Sequence, residues 1–234
     1  MKKRLLVFDL DGTLLYTLPS ILRGLNRTLE PLGRGKITLK ECREFVGNGS
    51  EKLIQRSLKR LGLENLSAQK KEEILQAYNQ AYLSDPIEGT CPYPGIFDFI
   101  RERKEAGDLL GVFSNKPDFI CHPILDHFFP EGTFDLVRGA RPDTPKKPNP
   151  QGLFLMMEDL GLGPHSTIYI GDSEVDALLG KAAGARTLLV SYGYRDRPLL
   201  EETGLLILDS VSDLEEAIRK MDEEKSGDSA GIQE

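Results

Sequence analysis

The spacing of the hydrophobic residues divides the chain into three parts. Four consecutive apolar residues at 5–8 predict a strand that is buried on both faces of a sheet. Between 20 and 84 the apolar residues recur every three or four positions, which predicts about four helices and no strand. One helix is predicted to begin at Thr38, because Glu41 completes a capping box. After a Pro- and Gly-rich linker at 85–95, strand and helix patterns alternate.

The alternating part of the chain predicts a parallel sheet with helices on both faces. Strands are predicted at 109–113, 134–137, 167–170, 186–190 and 205–208, and helices at 96–106, 119–129, 150–161, 177–183 and 212–221. Ser212 and Glu215 are expected to cap the last helix. The fold class is therefore α/β, a Rossmann-like doubly wound parallel sheet with an inserted helical domain.

The helical segment interrupts the sheet and has apolar faces for a modest core of its own. We therefore expect a sheet-containing core at 1–16 and 92–221 and a separate helical domain at 17–91. The last residues, 222–234, contain five acidic residues and one lysine, a net charge of −4. Because this segment also lacks aromatic residues, it is predicted to be disordered.

The composition limits the kinds of molecule that the protein is expected to bind and the cellular compartment in which it is expected. The 234 residues carry a formal net charge of −7, and the −3 that remains without the tail argues against non-specific binding to nucleic acid or to an anionic membrane. No stretch approaches the ~18 apolar residues of a membrane span. Cys42, Cys91 and Cys121 lie far apart without metal-site spacing and are expected to be reduced thiols of a cytoplasmic protein.

Polar residues follow three predicted strands at the points where these strands end. Asp9 and Asp11 follow the first strand, and their carboxylates are expected to point the same way because alternate residues of a strand share a face. Ser114, Asn115 and Asp172 follow two later strands. Since ligands of parallel sheets bind at the carboxyl ends of the strands, these residues are predicted to meet at one edge. For the first pair alone, a solvated Asp-Gly turn is the alternative.

These residue types suit the chemistry of phosphate. Asp9, Asp11 and Asp172 offer the hard oxygen ligands that Mg2+ prefers, and adjacent carboxylates require a cation. Ser114 and Asn115 offer a hydroxyl and an amide to phosphate oxygens, ordinary strand-end capping being the alternative. The set indicates phosphoryl transfer rather than glycoside or acyl chemistry, and the sequence shows neither a Ser/His/Asp arrangement nor a Gly-x-Ser-x-Gly elbow.

A lysine is available to compensate the charge of a phosphate. Lys147 lies in Lys-Lys-Pro-Asn-Pro, in a stiff turn before a predicted helix, and supplies a point positive charge. The adjacent Lys146 is the alternative, although the Lys-Pro-x-Pro pattern favours Lys147. Arg101, Arg138 and Arg141 are further candidates for a substrate carboxylate, and the sequence does not place them.

Four short motifs occur in order along the chain. They are Asp-Leu-Asp-Gly-Thr at 9–13, Ser-Asn-Lys at 114–116, Lys-Pro-Asn-Pro at 147–150, and Gly-Asp-Ser at 171–173 with Asp176. In this combination the chain resembles the haloacid dehalogenase superfamily of aspartate-nucleophile phosphatases, and specifically its phosphoglycolate phosphatase branch. The resemblance covers all but the tail, and it implies that the helical segment at 17–91 is a cap inserted in a Rossmann-like core.

The resemblance also implies a role for each motif residue. Asp9 would attack phosphorus and become an aspartyl-phosphate. Asp11 would protonate the leaving oxygen and later deprotonate the hydrolytic water. Ser114 and Asn115 would hold the phosphoryl group, and Lys147 would compensate its charge.

The same resemblance implies the metal ligands. Mg2+ would be held by Asp9, by the backbone carbonyl of Asp11 and by Asp172. Asp176 would orient the lysine of the third motif or a metal-bound water, a position on the helix surface being the alternative. Thr13, the last residue of the first motif, is placed with the residues that bind phosphate or substrate.

A cap of this kind closes over the sheet edge, excludes water and selects the substrate. Residues 45–50 resemble the cap loop of phosphoglycolate phosphatases, so Gly47, Asn48 and Gly49 are expected to contact the leaving group. A Gly-rich helix connector is the alternative. Relatives commonly carry Asp-Ser where this chain has Tyr16-Thr17, which leaves the identity of the substrate open.

We therefore predict a Mg2+-dependent phosphoric monoester hydrolase that acts on a small phosphorylated metabolite, with 2-phosphoglycolate as the expected substrate. The alternatives are the same chemistry on a pyrophosphate, a nucleoside monophosphate or a sugar phosphate, a phosphomutase, and a non-catalytic phosphometabolite-binding protein. Neither nucleic acid nor a membrane is an expected partner. The sequence leaves both a monomer and a dimer open.

Overall fold

The computed structural model describes the backbone of residues 3–230 and the side chains of residues 3–223. The strands are β1 Leu5–Phe8, β2 Leu15–Tyr16, β3 Cys91–Pro92, β4 Leu109–Pro117, β5 Leu136–Ala140, β6 Thr167–Gly171, β7 Arg186–Val190 and β8 Leu206–Leu208. The helices are α1 Leu18–Leu29, α2 Leu39–Phe45, α3 Ser50–Arg60, α4 Ala68–Leu83, α5 Ile96–Glu105, α6 Asp118–Phe128, α7 Gln151–Asp159, α8 Glu174–Ala183, α9 Arg197–Glu201 and α10 Val211–Ala230.

Six strands form one sheet in the order β5-β4-β1-β6-β7-β8, and all neighbouring pairs are parallel. Alternate residues of β1 face opposite sides: Leu6 and Phe8 pack into one apolar cluster, Leu5 and Val7 into another. The predicted parallel α/β sheet is confirmed. Because β1 lies between β4 and β6, the chain order reverses beside it, and a ligand crevice opens at the carboxyl end of such a strand.

The helices α1–α4 leave the sheet after β2 and return to it through β3, and these two strands pair antiparallel. The predicted four helices and the capping box are confirmed: the Thr38 hydroxyl accepts from Glu41 N at 3.3 Å, and the Glu41 carboxylate accepts from Thr38 N at 2.8 Å. The sequence pattern does not show β2 or β3, because two residues are too few to reveal a period. The division into a core and a cap at 17–91 stays a prediction.

Several predicted element ends are wrong, among them those of β5, which lies at Leu136–Ala140 rather than 134–137, and of α8, which begins at Glu174 rather than 177. β4 does not stop at 113 but continues to Pro117 with an irregular register, so the Ser-Asn-Lys motif lies inside the strand. Helix α10 begins at Val211, one residue earlier than predicted, because the Ser210 hydroxyl, rather than that of Ser212, accepts from Asp213 N at 3.1 Å.

Residues 222–230 of the tail continue α10, whereas 231–234 lie outside the described residues, and the disorder of the tail stays a prediction. Asp222 ties the start of this segment to the sheet, since its carboxylate lies 2.6 Å from the guanidinium of Arg4 and 3.3 Å from that of Arg103. Arg4 is buried and also pairs with Asp108 at 2.7 Å. A buried guanidinium requires paired charges, and the acidic tail supplies one of them.

In the part of the chain that the structure describes, none of the helices combines the length and the hydropathy of a membrane span. The three cysteines are free thiols, of which Cys91 is exposed. Burial raises the pKa of the Cys42 thiol to about 12 and that of the Cys121 thiol well above its usual range. The two buried thiols are therefore protonated and unreactive at neutral pH.

Candidate active site

Carboxylates from the ends of two adjacent strands meet at the carboxyl edge of the sheet. Asp9 follows β1, Asp172 follows β6, and Asp176 lies in the first turn of α8. One oxygen from each lies within 4.8 Å of the others, and all three side chains are buried. Gly12 makes this approach possible: its φ is +87°, and a Cβ there would lie 2.2 Å from an Asp172 oxygen.

Burial disfavours the ionised form of these three carboxylates. Burial raises the pKa of Asp9 to about 6, although Lys147 lowers it and the neighbouring carboxylates add to the rise. Burial and the charges of Asp176 and Asp9 raise the pKa of Asp172 well above its usual range, while its Oδ2 accepts from Tyr194 N at 2.6 Å. Three buried carboxylates beside one ammonium leave an excess of negative charge. Hard oxygen donors with such an excess suit a divalent cation such as Mg2+.

Lys147 is the ammonium in this group. Its Nζ lies 3.0 Å from Asp9 Oδ1 and 2.8 Å from Asp176 Oδ1, and it donates to the Tyr169 hydroxyl at 2.9 Å. Burial lowers the pKa of an ammonium, but the two carboxylates raise it more, so the pKa of Lys147 lies above its ordinary value. Lys146 lies apart from this group and reaches Glu51 on α3 at 3.8 Å.

Asp176 has both carboxylate oxygens engaged. Oδ1 accepts from Lys147 and from the Tyr169 hydroxyl at 3.1 Å. Oδ2 accepts from Ser173 N at 3.1 Å and from the Ser173 hydroxyl at 2.6 Å, which also caps α8. The side chain is 0% exposed, so it is not a residue of the helix surface. It fixes the position of the Lys147 ammonium.

Asp11 lies beside the group and is held from two sides. Its Oδ1 accepts from the Thr17 hydroxyl at 2.6 Å, and its Oδ2 lies 3.0 Å from the Lys116 Nζ. The Thr17 hydroxyl is in turn 2.8 Å from that of Tyr194. Lys116 belongs to the Ser-Asn-Lys motif, but the sequence pattern assigned it no role. Its position could have indicated burial, because a lysine at the end of an apolar strand lies next to the core.

Ser114 and Asn115 of the second motif lie in different surroundings. The side chain of Ser114 lines the cavity at the sheet edge. The Asn115 side chain has all its groups engaged: Oδ1 accepts from Lys147 N at 2.8 Å, and Nδ2 donates to Lys147 O at 3.1 Å and to Gly47 O at 3.2 Å. Both N–H groups of the Asn115 side chain are therefore engaged, and its predicted contact with phosphate stays a prediction. The side chain joins the Lys147 turn to the 46–50 loop.

The other residues predicted to meet phosphate or substrate differ in their placement. Gly47 and Gly49 line the cavity. Asn48 does not, and its side-chain oxygen accepts from Arg56 at 2.7 Å. Thr13 is fully buried, and its hydroxyl has no partner among the described residues.

The cavity between the sheet edge and α1–α4 has a volume of about 40 Å3. It is lined by both aspartates of the first motif, by Ser114, Asn115 and Lys116, by the 46–50 loop, and by residues of the helices that include Tyr78 and Tyr82. A wider groove of about 970 Å3 lies at the amino ends of β6 and β7 and contains none of the motif aspartates. Because ligands of parallel sheets bind at the carboxyl ends, the small cavity is the candidate site.

Arg195 holds the 46–50 loop against the core. Its guanidinium donates to the backbone carbonyls of Val46 at 2.9 Å and Arg43 at 3.3 Å, and to the Glu174 carboxylate at 2.9 Å. The helical segment is therefore closed over the site.

The three arginines that were candidates for a substrate carboxylate pair elsewhere. Arg101 lies 2.7 Å from Asp98 and Arg138 lies 3.0 Å from Asp159, while Arg141 pairs with Asp118 at 3.0 Å. None of them lines the cavity.

A family model for haloacid dehalogenase-like hydrolases matches residues 6–190. The phosphoglycolate phosphatase 1 of Pseudomonas aeruginosa is 32% identical over 213 residues, which are 90% of this chain and 78% of that protein. A phosphoglycolate phosphatase of Cereibacter sphaeroides is 34% identical over 215 residues, covering 92% of this chain and 97% of that protein.

Solved structures agree with the fold. The crystal structure of a candidate phosphoglycolate phosphatase from Lactobacillus delbrueckii subsp. bulgaricus superposes with a TM-score of 0.86 at 28% identity and covers 93% of this chain and 99% of that one. A β-phosphoglucomutase from Clostridium difficile superposes with a TM-score of 0.77 at 21% identity over 96% and 99% of the two chains, a likeness that concerns the fold alone.

Proposed function

Because the chain belongs to the haloacid dehalogenase-like hydrolases and is a phosphatase among them, we propose that it hydrolyses 2-phosphoglycolate, with Mg2+ as its cofactor and Asp9 as its nucleophile. The observation that carries the proposal is the shared position of Asp9, which belongs to the carboxylate group, pairs with the buried Lys147 and lines the cavity. The names of the relatives support the substrate.

Asp9 and Asp11 have different roles in the two steps of the reaction. In the first, an Asp9 oxygen bonds to phosphorus, the bond from phosphorus to the leaving oxygen breaks, and Asp11 gives that oxygen a proton. In the second, Asp11 takes a proton from a water that attacks phosphorus, which frees Asp9 and inorganic phosphate. The two aspartates line the same small cavity, which suits this exchange.

The other site residues stabilise the charge of the phosphoryl group. Lys147, fixed by Asp176, lies beside Asp9 at 3.0 Å and would compensate the negative charge that develops there. Ser114 offers its hydroxyl to a phosphoryl oxygen. Gly47 and Gly49 would contact the leaving group from the closed helical segment, whereas Asn48 is held by Arg56 and supports the loop.

Mg2+ would be held by Asp9, by the backbone carbonyl of Asp11 and by Asp172. When bound, the ion would reduce the repulsion between the nucleophile and the phosphate dianion. The three clustered carboxylates suit Mg2+ because they offer hard oxygen donors and carry an uncompensated negative charge. Asp176 is not free to join them, since its oxygens are engaged by Lys147, Tyr169 and Ser173.

A panel of phosphate esters tests the proposal. The purified protein is given Mg2+ and 2-phosphoglycolate, pyrophosphate, a nucleoside monophosphate or a sugar phosphate, and the release of phosphate is measured. We expect 2-phosphoglycolate to have the highest kcat/KM and beryllium fluoride to inhibit as a mimic of the phosphorylated aspartate. If 2-phosphoglycolate has a lower kcat/KM than several other esters, it is not the substrate. Isomerised product without free phosphate would indicate a mutase.

A further inference from the structure

Lys116 is a buried cation on the wall of the cavity. Its side chain is 3% exposed, and its Nζ lies 3.0 Å from Asp11 Oδ2 and donates to the Tyr82 hydroxyl at 2.8 Å. The Tyr82 ring centroid lies 4.4 Å from the same nitrogen. An ammonium has three hydrogens, and these are its two hydrogen-bonding partners in the described chain. One hydrogen therefore remains for a ligand in the cavity.

The other cations near the cavity are committed to different partners. Lys147 is surrounded by Asp9, Asp176 and the Tyr169 hydroxyl. Arg195 donates to Glu174 and to the carbonyls at the end of α2, and Arg56 donates to Phe45 O and to Asn48. Among the described residues that line the cavity, Lys116 is the one that carries a positive charge.

Each oxygen of Asp11 is engaged by a partner other than a leaving oxygen. One is held by Thr17, which directly follows β2 and whose hydroxyl and backbone N–H lie 2.8 and 2.7 Å from the Tyr194 hydroxyl. The other is held by Lys116, on the side of the cavity. A ligand in the cavity can reach only the second of these contacts.

We propose that Lys116 recognises an anionic group on the leaving-group side of the substrate, and that this anion replaces Asp11 on the ammonium and frees Asp11 for the leaving oxygen. The inference rests on the proposed function and names the substrate class, namely short phosphate monoesters with a carboxylate one or two carbons from the ester oxygen. The small volume of the cavity requires the short chain. Tyr82 belongs to α4, so Lys116 has its full set of partners only while the helical segment is closed.

The test compares two esters of equal length in the wild-type enzyme. 2-Phosphoglycolate carries the carboxylate, and 2-hydroxyethyl phosphate has a neutral hydroxymethyl group in its place. We expect a preference of roughly 100-fold in kcat/KM for the carboxylate ester, because the neutral ester cannot replace Asp11 on the ammonium and so leaves Asp11 held. Equal values for the two esters in the wild type would overturn the proposal without any variant.

Lys116→Met then assigns the preference to the residue. We expect the preference to fall below about 5-fold, since the carboxylate loses its partner. Lys146→Met is the matched control: this lysine is next to Lys147, pairs with Glu51 at 3.8 Å, is not among the residues that line the cavity, and should leave the preference unchanged. Tyr82→Phe keeps the ring and removes the hydroxyl that holds the ammonium, and should lower the preference several-fold.

The outcomes separate this inference from the proposed function. A preference that survives both Lys116→Met and Tyr82→Phe, with phosphate still released, overturns the role of Lys116 alone. Absence of phosphate release by the wild type from every ester overturns both. If Lys116→Met does not fold, as judged by its thermal transition, the wild-type comparison and Tyr82→Phe decide the matter.

Discussion

Replacing Asp9 with asparagine would separate the role of this residue in the reaction from its effect on the free energy of unfolding. Asp9 is 6% exposed, and burial raises its pKa to about 6, with Lys147 acting in the opposite direction. Relative to an ordinary value near 4, this rise disfavours the ionised carboxylate in the folded protein by roughly 3 kcal/mol at neutral pH. Asparagine keeps the shape and an oxygen for Lys147, which also retains Asp176.

We therefore expect Asp9→Asn to increase the free energy of unfolding by about 1–3 kcal/mol in metal-free buffer at pH 7.5. The thermal midpoint should rise by about 2–4 °C for each kcal/mol in a chain of this size. Because the folded pKa lies above the unfolded one, wild-type stability falls as the pH rises from about 4 through 6. The advantage of the variant should thus be full above pH 6 and disappear near pH 4.

The assay is denaturation of both proteins in EDTA at several pH values, together with phosphate release in Mg2+. Turnover by the variant should be lost, and Mg2+ should stabilise the wild type more than the variant, because a ligand stabilises the state that binds it. Asp98→Asn, at an exposed carboxylate that pairs with Arg101, is the control and should change neither quantity. A variant less stable than the wild type in EDTA at pH 7.5 would refute the argument from burial, and residual turnover would refute the nucleophile.

Three further predictions follow from contacts outside the carboxylate group. Arg195→Ala removes one bond to the end of α2 and one to the start of the 46–50 loop, and should raise KM for the substrate by roughly 10- to 100-fold while kcat changes less. An unchanged KM would show that these bonds do not close the site. Asp222→Ala should lower the free energy of unfolding by about 1 kcal/mol, because its partner Arg4 is buried. The control Glu223→Ala removes an exposed ion pair and should change this free energy by less than about 0.5 kcal/mol. Equal effects of the two substitutions in urea denaturation would contradict the stabilising role of the Arg4–Asp222 pair. A thiol reagent at pH 8 should modify Cys91 alone in the native protein and all three cysteines after unfolding, and fast labelling of a second native thiol would contradict the burial argument.

The order of elements could be predicted because it is encoded in local periods. The apolar run of β1 and the three- and four-residue spacing of α1–α4 are properties of adjacent residues. The edge at which Asp9, Ser114 and Asp172 meet followed from a general rule, since parallel strands with helical crossovers place their carboxyl ends together. Elements too short to show a period, such as β2, β3 and α9, were missed.

The partners of each side chain could not be predicted, because they come from distant parts of the chain. Arg4 and Asp222 are 218 residues apart, and their pairing anchors a segment whose composition predicts disorder. Asn115 has a side chain that suits phosphate, yet backbone groups of Lys147 and Gly47 engage both of its N–H groups and its oxygen.

The sequence by itself determined the α/β sheet, the helical insertion and the candidate carboxylates, because periodicity and strand ends are local features. Only the tertiary structure decided how these carboxylates are held: Asp176 fixes Lys147, Thr17 and Lys116 share Asp11, and Tyr82 on α4 reaches Lys116. The physical reason is that a buried charge takes whichever partner the packing of remote elements brings within hydrogen-bond distance, and that choice has no local signature.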